Sequence, residues 1–224
     1  MTNPYAIAAF SMLGGWMLAQ VAAVAKDYVY RRYLRRAIID ELRQLYDELK
    51  IQDQIYSRTL QIAGSKDHGM ERGAALPLSN FIFSNHYKDA ALAFTRTQRT
   101  ALQMIHAYIR VLNDGAERFT ALTDSIYEKV RREKKTDPAD FEVFQEMLRD
   151  QFRLVQTTKW HIHHYLTHPL FPELDPLTET HEEYLKFVEG IEGCIADIEA
   201  SGQSLPRERF EKVYDPEAFN ALRK

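Results

Sequence analysis

Residues 5 to 25, YAIAAFSMLGGWMLAQVAAVA, run for 21 positions without a charged side chain. In a chain with a mean hydropathy of −0.42, no other feature constrains the fold as strongly. As a helix the run would be roughly 31 Å long, about the thickness of the hydrocarbon core of a bilayer. Gln20 is its only strongly polar side chain. The run stops at Lys26-Asp27. Residues 26 to 36 then bring Lys26, Arg31, Arg32, Arg35 and Arg36 against Asp27, a net of 5 − 1 = +4.

The positive-inside bias predicts Met1 outside and the rest of the chain in the cytoplasm. The expectation is a single-pass cell-membrane protein, with an anchor over residues 1–25 and a cytoplasmic helical domain over 26–224. Tyr5 at one end, and Tyr28, Tyr30 and Tyr33 at the other, suit the two interfaces. Ala23-Val24-Ala25 looks like a signal-peptide cleavage site, but no basic segment precedes the apolar run and arginines follow it. A buried helix of a soluble protein is rarely apolar all round for this length. Ser11, Gly15, Ala19 and Ala23 recur every four residues and form a small-residue face on which a second membrane helix could pack closely.

Beyond the anchor the pattern is helical throughout. Ile38, Leu42, Leu45, Leu49 and Tyr56 form one stripe, and neither Pro nor Gly interrupts residues 26 to 63, so the membrane helix is expected to continue into the cytoplasm. Gly64 to Leu78 reads as a loop. A second long helix is expected from near Asn85, on the stripe that runs from Tyr87 through Phe94, Ile105 and Phe119 to Val130. Asn113-Asp114-Gly115 is a turn signal, yet the stripe stays in phase across it, which favours a continuous or kinked helix over a hairpin. Asp137-Pro138 marks an N-cap and first helical position. A third helix then runs to His168-Pro169, and a fourth runs from Thr178 or Thr180 to near Gly202. Short helical pieces are expected near Pro206 and Pro216. With no period-2 pattern, the fold class is all-α: an N-terminal transmembrane helix followed by an elongated antiparallel bundle or coiled coil of about four helices.

Composition narrows the function. The net charge of −3 gives no drive toward nucleic acid, and the single cysteine, Cys194, allows no internal disulfide. Charge is uneven: residues 173 to 200 carry nine acids and one lysine, a net of −8. The juxtamembrane Arg31, Arg32, Arg35 and Arg36 are placed to meet anionic lipid. No glycine-rich phosphate loop, HExxH, ExxH or GxSxG pattern occurs, and the sequence calls for no cofactor.

Two constellations could carry chemistry. His161, His164 and His168 share one helix face, and the last two have the i, i+4 spacing that can chelate a metal, with Glu179, Glu182 and Glu183 as further possible ligands. Arg99 and His106 match, over eight residues, the Arg-x4–6-His spacing of the all-helical HEPN ribonucleases. There the arginine would steady phosphate charge and the histidine would move protons. The preferred reading is a membrane-anchored helical scaffold acting through protein–protein assembly. Its partners are the lipid bilayer and either a second copy or another protein. The alternative is a membrane-bound effector enzyme, either an Arg99/His106 ribonuclease or a histidine-rich, metal-dependent hydrolase.

Overall fold

The computed structural model describes residues 4–65, 69–70, 76–134, 137–170, 172 and 179–204, with side chains from Ser11 onward. Five α-helices are present, and no strand occurs among the described residues: α1 (Pro4–Ala63), α2 (Phe81–Ala90), α3 (Arg96–Glu133), α4 (Pro138–Thr167) and α5 (Glu179–Gly202). The all-α expectation holds. The tail near Pro206 and Pro216 and the cap at Thr178 lie outside the described residues; Thr180 falls in the first turn of α5.

Helix α1 runs unbroken for 60 residues. From Leu34 onward its stripe is core: Ile38, Leu42, Leu45, Leu49 and Leu60 are fully buried. The stripe is covered by the chain's own helices, so it is internal packing and not a free subunit face. α4 lies antiparallel to α1, as the pairings of Tyr46 with His163 and of Asp53 with Gln156 require. α3 lies antiparallel to α4, with Phe119 against Phe144 and Tyr108 against His161. α5 covers the outer groove between α1 and α4.

After α1 the chain turns back along the bundle. Leu76 receives a hydrogen bond from Gln52, and Leu78 exchanges two with the Asn113 side chain, at 2.8 and 2.9 Å. α2 begins there, and its own N-cap residue, Asn80, makes no capping bond. The carboxylate of Glu41, from α1, accepts from the Ile82 and Phe83 N–H groups at 2.6 and 2.9 Å instead. A negative charge at exposed helix N–H groups is stabilising through both hydrogen bonding and the helix dipole.

The expected second helix is two. A short 3-10 turn, Ala91–Ala93, follows α2, Phe94 is extended, and α3 starts afresh at Arg96. The cause is a capping box: Thr95 Oγ1 accepts from Gln98 N–H while Gln98 Oε1 accepts from Thr95 N–H. Through Asn113-Asp114-Gly115, by contrast, α3 is continuous. Asn113 is engaged with Leu78, and Gly115 leaves room for the Gln151 side chain, which lies 2.0 Å from where a Cβ would stand and so too close to admit one. α4 begins with Asp137 accepting from Ala139 N–H and with Pro138 at its first position.

Among the described residues no helix is long and apolar enough to cross a membrane. The expected transmembrane anchor over residues 1–25 is thus not supported among the described residues.

At the far end, α1 and α5 cross by backbone contact. A Cβ on Gly202 would lie 1.9 Å from the Gln61 carbonyl oxygen, and one on Gly64 would lie 2.3 Å from that of Glu199. Gly202→Ala is therefore expected to cost about 1–3 kcal/mol by overpacking. Gly193→Ala, in the same helix with open space around it, should raise stability by up to about 1 kcal/mol through helix propensity. Urea unfolding of both variants checks the pair. Leu45→Asp buries an unpaired charge in the core and should abolish the cooperative transition.

Candidate functional site

Helices α2 and α3 flank an open cleft of about 630 Å³, lined by Phe83, Tyr87, Lys88, His106, Arg110 and neighbouring polar side chains. His106 forms part of its floor. The ring is 5 % exposed, stacks on Phe83 at 3.4 Å, and neither nitrogen has a hydrogen-bond partner. Burial pushes its pKa down to about 3, so at neutral pH it is an uncharged aromatic plate.

Arg99 stands apart from this cleft. Its guanidinium donates to the carbonyl oxygens of Phe94 at 3.1 Å and Ala91 at 3.4 Å, closing the break between α2 and α3. The two members of the spacing match thus have separate surroundings. Arg99 is spent on backbone, and His106 is held against Phe83. An acid–base histidine needs an accessible nitrogen near a phosphate-binding cation, and the described contacts supply no such pair.

The second constellation is aromatic. His161 lies between Tyr108 at 5.2 Å and Tyr184 at 5.1 Å, edge-on to Trp160. His164 stacks on Trp160 at 5.0 Å and on His168 at 4.8 Å. His163 points the other way, onto Tyr46 of α1. Burial first, and the neighbouring His164 second, push the His161 pKa down to about 4. Beside this cluster α5 places Tyr184 and Phe187 against Trp160. Glu179, Glu182 and Glu183 sit in its first two turns. Among the described residues no three His, Cys, Asp or Glu side chains are grouped to hold a metal.

The small-residue face of α1 is exposed. Nothing lies within 4 Å of a Cβ built on Gly15, and Ser11, Ala19 and Ala23 are open beside it. Of the arginines that follow the apolar run, the half-buried Arg31 pairs with Asp27 at 2.8 Å and Arg35 lies over the Phe94 ring at 5.6 Å. Arg32 and Arg36 are exposed.

Two polar centres escaped the sequence reading. Asp53 is almost wholly buried and binds Lys159 and Gln156, tying the middle of α1 to α4. Glu41 is also buried; desolvation raises its pKa, and the Ile82 and Phe83 N–H groups partly offset this. Its signal was legible in phase, because Glu41 falls on the same helical face as Leu34 and Ile38. A carboxylate on a core stripe needs a donor from elsewhere in the fold.

Two of the buried histidines, His106 and His161, make stability acid-sensitive. Both are held below the ordinary histidine value of about 6.5, so the unfolded chain takes up protons first as pH falls. Their contribution is complete above pH ~6.5 and is lost as pH falls toward about 4 for His161 and about 3 for His106. Between pH 6.5 and 5 the expected loss is about 1.6 kcal/mol per histidine. Urea midpoints across that range should show it, and His106→Phe, which keeps the ring and removes the titration, should flatten the profile.

No protein-family model matches the chain, no curated protein is similar to it, and no solved structure matches it.

Proposed function

We propose that the chain is a membrane-anchored helical scaffold: residues 5 to 25 lie in a bilayer, and the bundle stands on the cytoplasmic face to assemble with other proteins. One observation carries this reading. The same unbroken helix that forms the core of the bundle from Leu34 onward is exposed throughout residues 11 to 30. Met12, Leu13, Trp16, Met17, Leu18, Val21 and Val24 all stand out on that stretch, Met12 at 79 % exposure.

These large side chains wrap most of the circumference, and the rest is the small-residue face of Ser11, Gly15, Ala19 and Ala23. A helix seated on a protein partner keeps a polar side toward water. This one has none, and burying so much apolar surface in lipid is strongly favourable. Residues 5 to 10, with Ile7 and Phe10 and no charge, complete the apolar length in the sequence. Because the helix is continuous, the anchor and bundle would move as one rod. The small face would let two such rods approach within the bilayer, giving a homodimer.

An assembly role is favoured over catalysis by the placements already described: Arg99 bonded to backbone carbonyls, His106 enclosed, and the other histidines in an aromatic stack.

Fractionation and a reporter test the reading together. The full chain should resist carbonate extraction, and a chain lacking residues 1–25 should be recovered in the soluble fraction. A reporter active only in the cytoplasm, fused after Lys224, should be active. A full chain that carbonate releases, or a silent reporter where an exported one works, would overturn the proposal.

A further inference from the structure

Just past its apolar stretch, α1 turns a set of arginines away from the core. Arg32, Arg36 and Arg43 lie on the side opposite the buried stripe. With Arg35, Ile39 and Asp40 they line a shallow groove of about 440 Å³ on the surface of this one helix. The lining carries four guanidinium groups against one carboxylate, 4 − 1 = +3. That carboxylate, Asp40, is already engaged by Arg43 at 2.6 Å. Arg35 is steadied over the ring of Phe94, which is itself buried. Arg32 and Arg36 have no ion-pair partner among the described residues, although Arg31 beside them has Asp27. Like charges gathered on one rigid helix repel one another, and among the described residues no further carboxylate pairs with Arg32 or Arg36. The face is suited to an anion from outside.

Position and chemistry say which anion. Arg32 is seven residues past Ala25, about 10 Å along the helix axis. Helix side chains lean toward the N-terminus, so the exposed Arg32 and Arg36 can extend back toward the end of the apolar run. The headgroup layer adds about 5–7 Å to each side of the hydrocarbon. Guanidinium forks match phosphate oxygens two at a time. A phosphomonoester offers three such oxygens and a charge of about −1.5 to −2, against one full charge on a diester. We propose that this arginine groove binds a phospholipid headgroup bearing a phosphomonoester, in preference to anionic lipid in general. The proposal rests on the anchoring reading above.

The test uses the full chain in detergent micelles, titrated with lipid and followed by native mass spectrometry. Phosphatidic acid should bind at least about tenfold more tightly than phosphatidylserine. The double variant Arg32→Gln/Arg36→Gln should fall to the phosphatidylserine level with its melting temperature unchanged, since both residues are exposed. Arg32→Lys/Arg36→Lys, which keeps the charge and loses the fork, should fall between the two. Equal binding of the two lipids, or an unaffected Gln variant, overturns the proposal. Displacement of the lipid by an equal concentration of glycerol 3-phosphate overturns the lipid source and assigns the groove to a soluble phosphate. Carbonate extraction separates the two ideas. A chain that is extracted yet prefers phosphatidic acid loses the anchor and keeps the site. A chain that resists extraction without that preference does the reverse.

Discussion

Burial of one stripe of α1 is the constraint on which the rest of the structure depends. From Leu34 to Leu60 a single helical face is removed from water by α2, α4 and α5, with α3 reaching it through Phe119 against Tyr56. Each large aliphatic side chain so buried contributes roughly 1.5–3 kcal/mol. Because α1 is unbroken, whatever surrounds its N-terminal stretch is coupled mechanically to the core of the bundle.

Polar contacts then decide where the remaining elements start and stop, and many of them act across long sequence distances. Glu41 supplies the cap that α2 lacks. Asn113 holds the returning chain at Leu78. Gln98 closes its own capping box and also donates to the Pro169 carbonyl at 2.6 Å, linking the start of α3 to the end of α4. Asp53 ties α1 to α4 through Lys159 and Gln156. Each removes a buried polar group from the unsatisfied state, which is where such groups are costly. The bundle's register is therefore set by a few charged and amide side chains as much as by its apolar stripes.

This arrangement also bears on chemistry. The residues that look most reactive in the sequence serve packing and closure here: histidines in ring stacks, Arg99 on carbonyl oxygens. Arg32 and Arg36, by contrast, stay exposed where α1 leaves its apolar stretch. Arg35 stands exposed with them on that one rigid helix, beside the exposed Tyr28, Tyr30 and Tyr33.

The sequence by itself determined the all-α class, the unbroken α1, the start of α4 at Asp137-Pro138 and the end of α5 at Gly202. Helical periodicity, proline and glycine act within a turn or two, so those features are local. It also contained the Thr95-x-x-Gln98 box that parts α2 from α3, but the in-phase apolar stripe on both sides masked it. The in-phase stripe also favoured a helix through Asn113-Asp114-Gly115, and the tertiary structure supplied the partners there, Leu78 for Asn113 and Gln151 beside Gly115. Only the tertiary structure decided that Glu41 would cap a helix about forty residues away, and that His106 and His161 would be enclosed while Arg32 and Arg36 stayed exposed. Burial and partnership are properties of what packs opposite a side chain, and the spacing of residues along one helix does not contain them.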